Sequence, residues 1–305
     1  MALTSEFRVG DEVAEALALG RPVVALESTI LSNLGLPTPH NRECFDRCDA
    51  VIRSAGAVPA VTAILDGCAT VGLTIDEVER VLSADNKVSA RDVAVAVGLG
   101  WEVGVTTVAA SCMLAARAGV AVFATGGIGG VHRGAELSGD VSADLGAIAR
   151  YPVVTVTAGA KAFLDLPRTV EWFDTLGVPV LGFGTDNFPA FYSRSSGVSV
   201  PHRVESAADV AAIVGAMRRA GERGGVVVAN PIPAVAEIPA AEIDPVIVDA
   251  LDAASAAGVT GAGVTPYVLE AIGAATEGRS IPANLALAEH NAAVGAEIAR
   301  ALAVS

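Results

Sequence analysis

A chain of 305 residues with 52% hydrophobic, 18% charged and 4% aromatic residues is too apolar to be disordered and long enough for a large core. Its formal net charge of −14 at pH 7 sets the overall field against nucleic-acid backbones and anionic membranes, so an anionic small substrate needs a local basic pocket. The basic residues comprise 18 arginines and only two lysines, Lys87 and Lys161. Codon drift in a GC-rich genome accounts for a surface emptied of lysine, but not for the two survivors. A guanidinium stays protonated and cannot act as an amine nucleophile, which marks Lys87 and Lys161 as candidates for amine chemistry.

The opening stretch MALTSEFRVGDEVAEALALG lacks the charged and apolar regions of a secretion signal, so a cytoplasmic location is expected. Glu102, Arg117 and Arg133 interrupt the apolar stretches, and no membrane span is expected despite a mean hydropathy of +0.53. Cys44, Cys48, Cys68 and Cys112 show neither a CxxC pair nor metal-site spacing, and read as buried thiols in a reducing compartment. Apolar runs of strand length fall at Pro22–Glu27, Val58–Ile64, Val120–Ala124, Pro152–Thr157, Val178–Phe183 and Gly225–Ala229. They are continuous rather than alternating, as in strands covered on both faces. Helical stretches lie between and beyond them: Asn41–Ala55, Ile75–Leu82, Ala90–Gly98, Ala109–Ala118, Ser142–Arg150, Thr169–Leu176, Ala207–Ala220, Ile243–Ala257 and Asn284–Ala303. This rhythm predicts one α/β layered domain over 1–305 with a largely parallel sheet. Pro231–Pro245, with four prolines, reads as a surface crossing.

Polar residues collect where these strands end, which is where open α/β sheets bind ligands. Glu27 follows PVVAL directly; partial desolvation there raises a carboxyl pKa and suits it to general-acid work, while a turn cap is the competing reading. Between Ala124 and Glu136 lie five glycines, with His132 and Arg133 after the first four. Their N–H groups can cradle a phosphate or simply permit close packing, and the run has neither Walker nor Rossmann spacing. Asp140 and Asp144 share one face if the segment is helical, which suits a hard divalent cation; a helix start is the alternative. Lys161 ends an apolar strand, where desolvation favours a nucleophilic amine; an ion pair with Asp165 competes. Lys87 sits in a polar loop before a helix and reads as a phosphate contact. Thr106 and Thr107 offer hydroxyls to a phosphate, and Asn284 either reads a base edge or caps a helix. Thr185, Asp186 and Asn230 are further polar groups at strand ends.

Together these stretches resemble the pseudouridine-5'-phosphate glycosidase, or indigoidine synthase A-like, family. The matching segments are VALESTI (24–30), KVSARDV (87–93), GVTTVAAS (104–111), VFATGGIGGVHRGAE (122–136), DVSADL (140–145), AGAKAFLDLPRT (158–169), GVPVLGFGTDNFPAFY (177–192), VVANPIP (227–233) and VTPYVL (264–269). With the helix from Asn284, they run in order over almost the whole chain. The resemblance implies an α/β/α fold, a homotrimer, and a divalent metal, usually Mn²⁺, held by Asp140 largely through waters. It implies cleavage of the carbon–carbon glycosidic bond of a small nucleotide, with Lys161 forming a Schiff base at C1' and Glu27 donating a proton during ring opening. Lys87, Thr107, Val108, Ser142 and Asp144 are implied to line the sugar-phosphate site, and His132 and Asn284 the base. The chemistry is coherent: a C-glycoside has no heteroatom leaving group, and an iminium at C1' supplies the missing electron sink. The alternatives are the same chemistry in reverse, joining ribose 5-phosphate to another ring, and a non-catalytic sugar-phosphate-binding protein. Three segments depart from the family pattern. Ser32–Asn41 lacks the family's histidine after Ser32 and is one residue longer, Ser89–Asp92 has one arginine fewer, and Gly261–Tyr267 lacks the family's lysine.

Overall fold

The structure, a computed structural model, describes residues 6–259 and 263–304. One sheet contains β1 (Phe7–Val9), β2 (Val23–Leu26), β3 (Val58–Leu65), β4 (Cys68–Val71), β5 (Lys87–Val88), β6 (Val103–Thr106), β7 (Val122–Ala124), β8 (Val154–Thr157), β9 (Val180–Phe183), β10 (His202–Val204) and β11 (Val226–Ala229). The helices are α1 (Asp11–Ala18), α2 (His40–Ser54), α3 (Ile75–Leu82), α4 (Val93–Gly98), α5 (Val108–Ala118), α6 (Ala135–Ser138), α7 (Ala143–Arg150), α8 (Leu166–Thr175), α9 (Ala207–Ala220), α10 (Ala240–Ala256), α11 (Val264–Ala275) and α12 (Ser280–Ala303).

Each apolar run read as a strand is one, with its ends moved by a residue or two. Strands β1, β4, β5, β6 and β10 were not foreseen, because they are short and mix apolar with polar residues. Helices α1, α6 and α11 were also missed; α1 buries only Val13 and Ala16 and so shows little periodicity. The segment rich in proline is not a surface crossing throughout. Asn230, Pro231 and Ile232 are buried, and Pro245 lies inside α10, where its missing N–H leaves the Ala241 carbonyl without the usual helical donor. Gly261 and Ala262, in the late departing segment, lie outside the described residues.

The strands run in the order β1-β4-β3-β2-β7-β8-β11-β9-β10, with β6 also beside β3 and β5 beside β6. From β2 to β10 every pairing along this path is parallel. Side-chain alternation divides the helices into two layers. Val24 pairs with Val122, and a Cβ on Gly295 of α12 would lie 3.4 Å from the Val24 side chain, so α12 covers that face. Ala25, Phe123 and Thr155 point the other way, and Cys112 of α5 meets Thr155 at 3.6 Å. The architecture is therefore α/β/α. Strands such as Val226–Ala229 are buried along their whole length, which is why they read as continuous apolar runs.

Strand β3 is the longest and changes partners along its length. Val58–Val61 pair parallel with β2, whereas Thr62–Leu65 run on past it and pair antiparallel with β4; Ala63–Leu65 also pair antiparallel with β6. The overshoot brings the C-terminal end of antiparallel β6 to the C-terminal end of β2. The order also reverses around β2, since β3 lies on one side and β7 on the other. Open α/β sheets bind ligands at such a switch point, outside the carboxyl ends of the strands.

Candidate functional site

Glu27 leaves β2 and Thr125 leaves β7 at that switch point, side by side. The Glu27 carboxyl is 8% exposed and accepts a hydrogen bond at Oε1 from the Thr125 hydroxyl. It therefore caps no turn. Burial drives its pKa up to about 7, against the opposing pull of Lys161 and of the Thr125 hydrogen bond. A carboxyl in that range can hold and release a proton near neutral pH.

Lys161 follows β8, and its backbone N–H donates to the Ile128 carbonyl at 3.1 Å. The expected competitor, an ion pair with Asp165, does not form. Asp165 instead caps α8, accepting from the Arg168 N–H at 3.0 Å, and lies 3.5 Å from the Arg168 side chain. Lys87 is not in a loop: it opens β5 and pairs with Val105 of β6. Part of its side chain is open to solvent, yet burial of its ammonium and the charge of Lys161 hold it below the ordinary lysine value, opposed by Asp144 and Glu27. The two lysines of the chain thus act on one another and on Glu27 through their charges. Among the described residues neither makes an ion pair within 4.0 Å.

The glycine run is a packing device more than a cradle. Gly126 through Gly130 are buried, and a Cβ would come within 2.4 Å of Phe191 at Gly127, 2.2 Å of Ser142 Oγ at Gly129 and 2.4 Å of Thr169 Oγ1 at Gly130. Several of the N–H groups here are committed within the protein: Ile128 donates to Gly159 at 3.1 Å, Gly129 to Asp144 Oδ2 at 2.8 Å and Val131 to Thr169 Oγ1 at 3.0 Å.

Asp140 and Asp144 do not share a helix face. The helix α7 starts at Ala143 with Ser142 as its cap, whose hydroxyl accepts from the Asp144 N–H at 3.2 Å; Asp140 lies in the extended stretch before it. The Asp144 carboxylate is buried and engaged at both oxygens, by the Gly129 N–H and by the Ala109 N–H at 2.9 Å. It ties α7, the glycine run and the start of α5 together. Asp140 is 40% exposed at its side chain, with Oδ2 at 3.8 Å from Nδ1 of His132. Burial lowers the pKa of His132, with Asp140 opposing and Lys161 adding to the effect. No cluster of three or more His, Cys, Asp or Glu side chains fit to cage a metal occurs among the described residues. One accessible carboxylate, all oxygen, suits a hard cation that keeps most of its waters and does not suit a caged one.

Thr106 and Thr107 part company. The Thr106 hydroxyl joins those of Thr62 (2.8 Å) and Ser28 (3.0 Å), and Thr62 reaches Ser111 at 2.9 Å; all four residues are fully buried. The Thr106 N–H also donates to Ser28 Oγ at 2.8 Å. This cluster locks the segment after Glu27 to the start of α5 and leaves Thr106 nothing for a ligand. Thr107, the next residue, carries a buried hydroxyl oxygen with no partner, and the helix begins at Val108 directly after it. Asn284 is not a cap, because α12 starts at Ser280 and places it in the second turn; its buried Oδ1 is also without a partner. Among the described residues these two are the only buried side-chain N or O atoms so left. Such an atom carries a desolvation cost of about 1–3 kcal/mol that a bound ligand can relieve. Leu287, one turn after Asn284, packs against the Gly126 position, so α12 reaches the same site.

Charge interactions join Glu27 with Lys87, Asp144 and Lys161, and His132 with Asp140 and Lys161, while Asp144 is tied to the starts of α5 and α7, where Thr107, Val108 and Ser142 lie, so these residues come together. Thr185 and Asp186 do not, since Asp186 pairs with Arg203 at 2.8 Å in an exposed turn. Sequence reading passed over Thr125, Asn291 and the hydroxyl cluster. Thr125 had a usable signal, for it follows an apolar strand just as Glu27 does. Of the cysteines, Cys44, Cys48 and Cys112 are buried while Cys68 is only partly so, and all four thiols are free.

A lysine with no ion-pair partner and a buried carboxyl raised to about 7 stand at the switch point of an α/β/α fold, where enzymes of this architecture carry their active sites. The chain belongs to the indigoidine synthase A-like protein family, whose pattern matches residues 12–301. It is 49% identical to the pseudouridine-5'-phosphate glycosidase of Sorangium cellulosum, over 99% of this chain and 95% of that one. It is 52% identical to the enzyme of that name from a Nocardioides species, over 95% and 94% of the two chains. Among solved structures, the prealnumycin C-glycosynthase AlnA in complex with ribulose 5-phosphate superposes with a TM-score of 0.91 at 37% identity, covering 99% of this chain and 98% of that one. An indigoidine synthase A-like protein from Thermotoga maritima gives 0.86 at 36% identity, covering 97% and 96%. No described helix is long and apolar enough to cross a membrane.

Proposed function

We propose that this protein cleaves the C–C glycosidic bond of pseudouridine 5'-phosphate to uracil and ribose 5-phosphate, the activity for which its relatives are named. The observation that carries the reading is the pair of orphaned buried atoms, Thr107 Oγ1 and Asn284 Oδ1, flanking a site that holds Glu27 and both lysines. Phosphate takes the Thr107 hydroxyl, the free N–H at Val108, Ser142 and the Lys87 ammonium, where the start of α5 favours an anion. The base takes the Asn284 amide and His132.

Glu27, protonated near neutral pH, delivers its proton to the ring oxygen as the C1'–O4' bond opens and the Lys161 amine bonds to C1'. The new secondary ammonium gives a proton back to the Glu27 carboxylate. Its nitrogen lone pair then forms the C=N bond as the bond from C1' to the base breaks, and that electron pair takes the proton from Glu27 on the base carbon. Water hydrolyses the iminium, returning the amine and releasing the sugar phosphate. Asp144 keeps the glycine run and α5 in register while this happens. Asp140 would hold a divalent cation, Mn²⁺ being the expected one, chiefly through waters. When bound, such an ion offsets the charge of the sugar phosphate. We also expect the homotrimer that the family resemblance implies.

The test is incubation with Mn²⁺ and pseudouridine 5'-phosphate, following free uracil; no uracil under any divalent ion rejects the reading. Borohydride added with ribose 5-phosphate should fix mass on the peptide containing Lys161, and label on another peptide would reassign the nucleophile. The likeness to AlnA favours a second reading, synthesis of a C-glycoside on another ring. Faster coupling of ribose 5-phosphate to a larger aromatic ring than to uracil would select it.

A further inference from the structure

The Thr125 carbonyl, just beyond the last residue of β7, accepts from the side chain of Asn291, 2.7 Å from Nδ2, and the Gly126 carbonyl lies 3.3 Å from the same nitrogen. Asn291 is 1% exposed and sits on α12, seven residues after Asn284. Its own oxygen accepts from Nδ2 of Asn230 at 2.9 Å, and the Asn230 N–H donates to the Thr157 carbonyl at 2.8 Å. Every polar group of the Asn291 amide is thereby engaged, and its orientation is set. With the amide reversed, two NH₂ groups would oppose each other and a carbonyl would face two carbonyls.

A buried amide is an expensive way to pack a helix against a sheet, since an apolar side chain of similar shape does so without desolvation. What the amide adds is a donor for a strand-end carbonyl with no other partner. That carbonyl belongs to the residue whose hydroxyl donates to Glu27 Oε1. We propose that Asn291 is a positioning residue for the proton donor Glu27, acting through Thr125, an inference that rests on the function proposed above. With Thr125 pinned at its backbone, its hydroxyl occupies Oε1 and leaves Oε2 to carry the proton that is transferred. Seven residues are close to two helical turns, so Asn284 and Asn291 share a face of α12 about 10 Å apart along its axis. The helix that offers an amide to the base also fixes the hydroxyl that orients the acid.

The charged and titratable groups acting on Glu27 are Lys161 after β8, Lys87 on β5 and Asp144 on α7, and its own charge reaches Cys44 on α2. The Thr125 hydrogen bond favours the ionised carboxyl, so losing it moves the titration of Glu27 upward. The experiment compares the pH dependence of kcat/KM for the wild type, T125V, T125S, N291A and T125V/N291A. Thr125→Val should move the alkaline limb up by about half a unit or more, and Thr125→Ser should restore it. Asn291→Ala should move it in the same direction, and the double variant should move no further than Thr125→Val alone. A limb unmoved in Asn291→Ala, or fully additive shifts in the double variant, overturns the proposal. Should Asn291→Ala fail to fold, Asn291→Ser carries the same comparison. A ¹³C titration of labelled glutamate side chains, assigned with Glu27→Gln, reads the same shift without turnover. An inactive wild type would reject the function, while that titration would still decide the role of Asn291.

Discussion

The outer face of α2 and the site at the ends of β2, β5 and β8 treat positive charge in opposite ways. On α2, Arg42 meets Asp46 at 2.9 Å and also Glu79, Arg47 meets Glu43 at 2.6 Å, and Arg53 meets Asp49 at 3.0 Å and Glu12 at 2.5 Å. All three arginines keep roughly two-fifths of their side chains exposed, so each pair forms in screened solvent. In the site Lys87 and Lys161 have no ion-pair partner among the described residues and act on each other through their charges, and the carboxyl of Glu27 is pushed toward its neutral form. Paired surface arginines are interchangeable solvation. Two lysines left unpaired in one region carry a cost that surface pairs do not, and the paucity of lysine elsewhere makes the contrast readable.

Exchange of the two basic residue types sharpens this comparison most. Lys161→Arg preserves the charge and removes the amine, and it should lower turnover by at least about 10⁴-fold, measured as uracil release. Retained activity would reduce Lys161 to a fixed charge. Glu27→Gln comes next, with a loss of about 10²–10⁴-fold in kcat.

Glu27→Gln also reports on stability. The folded carboxyl titrates at about 7 against an ordinary value of 4.5, so the fold carries the cost of ionising it above pH 7. That cost disappears as the pH falls from 7 toward 4.5, because the native state takes up a proton that the unfolded chain does not yet bind. Urea melts of the wild type should gain roughly 3 kcal/mol relative to Glu27→Gln between pH 8 and pH 4.5. Parallel curves for the two proteins would mean that the carboxyl is solvated.

Lys87→Ala should raise KM for pseudouridine 5'-phosphate by roughly 10–100-fold with a smaller change in kcat, the loss of one charged hydrogen bond to phosphate. A selective fall in kcat would move Lys87 from binding to chemistry. The smallest effect belongs to the surface: Arg42→Lys should change the unfolding free energy by less than about 1 kcal/mol and leave turnover alone. The same class of exchange is then nearly silent on α2 and decisive at Lys161.

The strands that position the site were legible because each is buried on both faces, and only an unbroken apolar run such as Val226–Ala229 satisfies that environment. Glu27 and Lys161 stood out for the same reason, as charged residues at the ends of such runs. Strands β5 and β6 were not legible, since Val103–Thr106 pairs with the overshooting end of β3 and Lys87–Val88 pairs in turn with Val103–Thr106. Local sequence carries no trace of a partner that distant. The spacing of Asp140 and Asp144 suggested a shared helix face, but Ser142 caps the helix between them and the two carboxylates take different duties.

By itself the sequence determined the fold class and the membership of the family, and it singled out Glu27 and Lys161, because each depends on residue type and local burial. Which hydroxyl is free and which is locked was decided only in three dimensions. Thr106 and Thr107 are adjacent and chemically identical, yet one is enclosed by Ser28, Thr62 and Ser111 and the other is left without a partner. The direct link between α12 and Glu27 through Asn291 and Thr125 belongs to the same kind of knowledge. A hydrogen bond depends on where two groups end up, and residues 27, 125, 230 and 291 meet only once the sheet has closed over them.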